Sequence, residues 1–171
     1  MTKMKRIIVF LWILLIISCE SNTQSKTEVF GELKSFSNCK LLNKITGLSK
    51  IVETLPDTLT GIEYHYDGKS KLTLTHINAG FNCCPGDLFT EIIEDNNEIL
   101  IEECETSSMC DCNCLYDLTI EITDISPGNY SFTFIEPYLN EDNEIISFVL
   151  GLNDEDSGII TFFRKGYPWG G

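Results

Sequence analysis

Hydrophobic and polar positions divide the chain into three regimes. Ile7 to Ile17 is an unbroken apolar run, closed by Ser18 and Cys19. Residues 20–28 then contain no apolar side chain. From Gly61 onward the pattern acquires period two. Ile62, Tyr64 and Tyr66 alternate with Glu63 and His65, and Leu72, Leu74 and His76 with Thr73 and Thr75. Tyr116, Leu118, Ile120 and Ile122 alternate with polar neighbours, as do Tyr130, Phe132 and Phe134. Such alternation predicts strands with one buried face. Turn chemistry separates them at Asp67-Gly68, Asp95-Asn96-Asn97, Pro127-Gly128 and from Asp154 to Gly158. The stretch 33–55 has no clear period and has room for a strand and a short helix.

Short strands at this spacing, with little helical pattern between them, predict an all-β domain, an antiparallel β-sandwich or small barrel. The segment Ile125-Ser-Pro-Gly-Asn-Tyr130 followed by Ser-Phe-Thr-Phe resembles the corner of immunoglobulin-like and fibronectin type III domains. That resemblance implies a structural Tyr130 bonding back to the preceding chain.

The apolar run at the start is too short for a bilayer span, which needs roughly 20 residues. Lys3, Lys5 and Arg6 precede it, as in a secretory leader. The ending Ile16-Ile17-Ser18-Cys19 resembles the bacterial lipobox, which implies a covalent lipid such as palmitate on Cys19. A plain signal peptide would end in an Ala-x-Ala-like site, which is missing here. The expected organisation is a leader at 1–18, a lipidated Cys19 with a flexible tether to residue 35, and one β domain over 36–171. The expected address is the cell envelope, on the outer membrane in preference to the inner.

Removal of the leader leaves 153 residues and shifts the formal charge from −14 to −17. Such a surface repels nucleic acid and anionic head groups. The expected contacts are the membrane, through the lipid, and an envelope protein or glycan.

Seven cysteines follow Cys19: Cys39, Cys83, Cys84, Cys104, Cys110, Cys112 and Cys114. In an extended segment Cys110, Cys112 and Cys114 project from one face, about 6.6 Å apart. That spacing and direction prevent bonding to one another, so each needs a partner elsewhere and one thiol is left over. Cys83 and Cys84, as neighbours, point to different partners. A disulfide framework suits an oxidising compartment, although the odd count runs against it. A zinc site built from this cluster with His76 is the alternative, although paired Cys-x₂-Cys spacing is missing. A thiol-disulfide redox role is the third, without a Cys-x-x-Cys to support it.

The stretches Gly61–Gly68, Leu72–Asn78, Phe81-Asn-Cys-Cys-Pro85 and Cys110–Leu118 resemble a family of small cysteine-rich lipoproteins from Bacteroidota. The resemblance covers roughly residues 60–135. It implies compartment and lineage and brings no activity.

Few other residues suggest chemistry. His65 lies on the polar side of its strand, where exposure is expected, and His76 on the apolar side, where a hydrogen-bonded core role is expected. The loop from Asn153 to Gly158 imitates a calcium loop, but Arg164 occupies the place of the bidentate acid. The acidic turns at 94–98 and 140–144 are looser calcium candidates. No nucleophile elbow, zincin helix or P-loop occurs, so no catalytic residue is nominated and a non-enzymatic role is expected.

Overall fold

The computed structural model of the protein describes residues 29–40 and 55–166. The leader, Cys19, residues 20–28, most of the 33–55 stretch and the tail beyond Gly166 lie outside the described residues. Nine strands run through them: β1 (Phe30–Phe36), β2 (Leu59–Asp67), β3 (Leu72–Asn82), β4 (Leu88–Asp95), β5 (Glu98–Glu105), β6 (Asn113–Thr123), β7 (Gly128–Ile135), β8 (Ser147–Leu152) and β9 (Glu155–Phe163). They form a sheet in the order β1-β6-β3-β2-β9 and a second in the order β4-β5-β7-β8. The architecture is a β-sandwich.

The expected strand faces are the observed ones. Leu72 and Leu74, the even positions from Leu118 to Ile122, and Phe132 and Phe134 are all fully buried. Ile99 and Ile101 join Phe132 and Phe134 on the second sheet to cover the leucines and isoleucines of the first, and Phe132 stacks on Phe148 at 5.3 Å between ring centres. Turn residues carry the left-handed backbone the hairpins need. Asn96 and Asn97, at φ 52° and 66°, join β4 to β5 in two residues, the hairpin that matches strand twist. Gly68 has φ 72°, and a Cβ there would lie 2.7 Å from the backbone nitrogen of Glu155. Beside it the Asp67 carboxylate accepts from the N–H groups of Lys69, Ser70 and Lys71.

One expectation needs correction. The segment assigned to a tether up to residue 35 contains β1, which pairs with β6 from Phe30↔Thr123 to Phe36↔Leu118; the domain therefore begins by Phe30, not residue 36. The strand is hard to read because its register shifts between Leu33 and Ser35, which breaks the period-two pattern. The sandwich is antiparallel as expected in every pairing but one. β5 and β7 run parallel, because the intervening β6 crosses to the other sheet and returns the chain in the same direction.

The corner tyrosine behaves as its resemblance implies. Tyr130 is buried and its hydroxyl donates to the carbonyl of Ser126 at 3.0 Å. We predict that Tyr130→Phe lowers stability by about 1 kcal/mol, one hydrogen bond's net worth. Urea unfolding would measure this, with an unchanged far-ultraviolet spectrum as the check on fold.

Candidate functional site

The cysteines resolve into a framework. Cys39 bonds Cys114, Cys83 bonds Cys112 and Cys84 bonds Cys110, with Cα separations of 5.7, 5.6 and 5.5 Å. Neighbours Cys83 and Cys84 do take different partners, and Cys104 is the thiol left over. The geometry departs from the expectation in one respect. Of the three alternating cysteines only Cys114 lies within a strand, and Cys110 and Cys112 belong to the loop before β6. Asn82 shapes that loop. Its side-chain oxygen accepts from the N–H groups of Cys84 and Cys110, and its amide donates to the Cys110 carbonyl at 2.6 Å. Closing a loop of 75 residues restricts the unfolded chain by about 4.5 kcal/mol in the chain-entropy treatment.

Six sulfurs held in disulfides carry no thiolate for a metal, so the oxidised cluster does not supply the ligands a zinc site requires. Cys104 is half-buried on β5. Burial, followed by the charges of Glu102, Glu91 and Glu103, pushes its thiol pKa up. A redox nucleophile needs the opposite shift.

His76 belongs elsewhere. It sits on the inner face of β3, fully buried, with its ring edge against Phe134, and it joins an ionic cluster between the sheets. Nδ1 lies 2.6 Å from Glu103 Oε1 on β5, and Nε2 lies 2.7 Å from Thr60 Oγ1 on β2. Glu136, one residue past β7, brings Oε1 to 3.9 Å from Nε2 and its other oxygen to the guanidinium of Arg164. Arg164, one residue past β9, also donates to the Glu144 carbonyl at 2.6 Å. The side chains of His76, Glu103, Glu136 and Arg164 have no exposed surface.

Hydrogen-bond accounting fixes the proton content. The Thr60 hydroxyl donates its single proton to the Ile77 carbonyl at 2.8 Å, so it accepts from His76 Nε2–H. Nδ1 faces a carboxylate oxygen, and that contact needs a proton as well. The His76–Glu103 pair therefore holds one proton more than a neutral imidazole beside a carboxylate. With that proton the cluster is neutral, two acids balancing Arg164 and His76. Burial disfavours the imidazolium, but the charge and hydrogen bond of Glu103 and the charge of Glu136 outweigh it, with Arg164 opposing. The net effect raises the His76 pKa above 6.5. Burial likewise raises Glu136, against the charges of His76 and Arg164.

Enclosed on every side, this arrangement can store a proton and join the sheets; it presents no atom to a solute. Sequence reasoning did not find Glu103, Glu136 or Arg164. The signal was there: Glu103 shares parity with Ile99 and Ile101, Glu136 with Phe132 and Phe134, and Arg164 with Ile160 and Phe162. His65 is exposed, as expected. Comparison with protein-family models, curated proteins and solved structures finds no match.

Two predictions follow from the cluster. Arg164→Met leaves Glu136 buried without its cation and lowers stability by about 3–5 kcal/mol. The pair Arg164→Met with Glu136→Leu recovers most of that loss, both read from urea midpoints. The pH dependence has a definite sign. His76 and Glu136 are both raised, so the folded chain binds more protons than the unfolded one and stability falls as pH rises. The His76 contribution is complete below 6.5 and disappears as pH passes the raised folded-state value. Urea midpoints between about pH 5 and 10 should show this alkaline loss, and His76→Gln should flatten it.

Proposed function

We propose that this chain is a cell-envelope lipoprotein, held to a bacterial membrane by lipid on Cys19, whose β-sandwich is a binding or structural module for an envelope protein or glycan. The observation that carries the reading is the set of three disulfides. Disulfides persist in oxidising compartments, and a leader of the kind seen at residues 1–18 delivers a chain to one. Acylation at Cys19 by more than one chain makes the attachment firm, at roughly 0.8 kcal/mol per buried methylene. The module part of the reading draws on the fold. Its ionisable cluster is enclosed and joins the sheets, which leaves recognition to the outer faces.

Expression in a bacterial host with an alkyne-palmitate label tests the proposal. The natural chain should take up the label and stay in the membrane fraction after an alkaline carbonate wash. Cys19→Ser should lose both properties. Retained label in Cys19→Ser, or a natural chain released by the wash, would overturn the anchor. Turnover of thiol or ester substrates by the purified chain would overturn the module.

A further inference from the structure

Charge is distributed unevenly between the two sheets. Strands β4, β5, β7 and β8 contain seven carboxylates and no Lys, Arg or His. The cations pair on the other sheet: Lys34 with Glu32 and Glu121, Lys71 with Glu121, and Lys40 with Asp117. None of the ion pairs among the described residues involves Glu91, Asp95, Glu98 or Glu102.

The register organises these acids. On the outer face of the β4–β5 hairpin Glu91 stands opposite Glu102, and Asp95 opposite Glu98. Directly opposed side chains have Cβ atoms about 4.5–5.5 Å apart, and like charges there are destabilising. The two acidic rows are four residues apart along β4, about 13 Å. Between them lies an apolar row, Ile93 opposite Leu100. Ile93 is 59% exposed, and Val149 on β8 is 67% exposed on the same face. Ile93 and Leu100 give this outer face an apolar stripe between its two acidic rows.

We propose that the outer face of the β4–β5–β7–β8 sheet docks a cationic polypeptide segment that presents two basic side chains about 13 Å apart with an apolar side chain between them. Charge complementarity selects the occupant. The opposed acids repel a second copy of the same face, and a basic partner relieves that repulsion while covering Ile93 and Leu100. This inference rests on the binding-module reading and assigns that module a face and a partner chemistry.

The test uses the full lipidated chain in non-ionic detergent and the fluorescein-labelled peptide KTLTKTLTK, whose alternate side chains repeat the required spacing, followed by anisotropy. Binding should weaken at least about tenfold between roughly 50 and 500 mM salt, as screened charges require. The peptide KTTTKTTTK, without the apolar side chains, should bind at least about tenfold more weakly. Glu91→Lys with Glu102→Lys should abolish binding, and Glu63→Lys on the other sheet should leave it unchanged. Equal binding of the two peptides would reduce the face to a counterion surface and overturn the proposal. So would loss of binding in Glu63→Lys alone, no binding by the natural chain, or self-association through this face in light scattering. Each of these results leaves Cys19 labelling untouched, so the face can fail while the anchored-module reading stands. If the double charge reversal fails to fold, Ile93→Thr with Leu100→Thr makes the same test through the apolar row, with an expected loss of at least about tenfold.

Discussion

The buried pair of His76 and Glu103, in contact at 2.6 Å between the sheets, sets the terms on which the two sheets meet. Thr60 and His76 approach from β2 and β3, Glu103 from β5, Glu136 from the end of β7, and Arg164 from the end of β9. Each buried ion is expensive to desolvate, and the set is tolerable only because it is neutral as a whole. That condition is collective. Removing His76, Glu103, Glu136 or Arg164 leaves a buried charge without its counterpart, which costs more than losing one contact between neutral groups. An apolar interior would hold the sheets together in many similar arrangements. Oriented contacts from five positions, three within strands and two just past strand ends, permit far fewer.

The disulfides act at another part of the sandwich and by another mechanism. Cys114, Phe81, Tyr116, Leu88 and Cys39 form a small core of their own beside the main one. Two of the bonds tie the chain after β3 to the loop before β6, and the third draws Cys39, beyond β1, onto β6. Their contribution comes mainly from limiting the unfolded chain, whereas the ionic cluster acts within the folded one. The first is insensitive to pH as long as the bonds stay oxidised. The second weakens as protons leave.

The strand faces were legible in the sequence because period-two alternation is a local property, and every buried position from Tyr116 to Ile122 follows it. The cysteine partners were legible only in part. Alternate spacing showed that Cys110, Cys112 and Cys114 could not bond one another, but the choice among Cys39, Cys83, Cys84 and Cys104 depends on strand pairing, which is long-range. β1 escaped because a register shift breaks its alternation. The ionic cluster escaped because an acid or arginine at an inward position looks like a surface residue until four such positions converge. A charged residue that keeps the parity of a strongly apolar strand was the available sign, and it occurs at Glu103, Glu136 and Arg164.

The same parity argument, applied outward, separates the two sheet surfaces. On the five-stranded sheet an exposed acid such as Glu121 has Lys34 and Lys71 to answer it. On the four-stranded sheet Glu91 faces Glu102 across the hairpin with no cation in any of its strands. Opposed like charges reduce the stability of a strand pair, and the hairpin retains them because Asn96 and Asn97 close it and Ile99 and Ile101 anchor its inner side in the core. The interior thus supplies the stability that lets the outer face remain repulsive. A face that is anchored by its buried side, apolar in its middle row and acidic on either side is complementary to a basic chain before any partner arrives. Such preorganisation reduces the ordering cost of binding on this side of the contact.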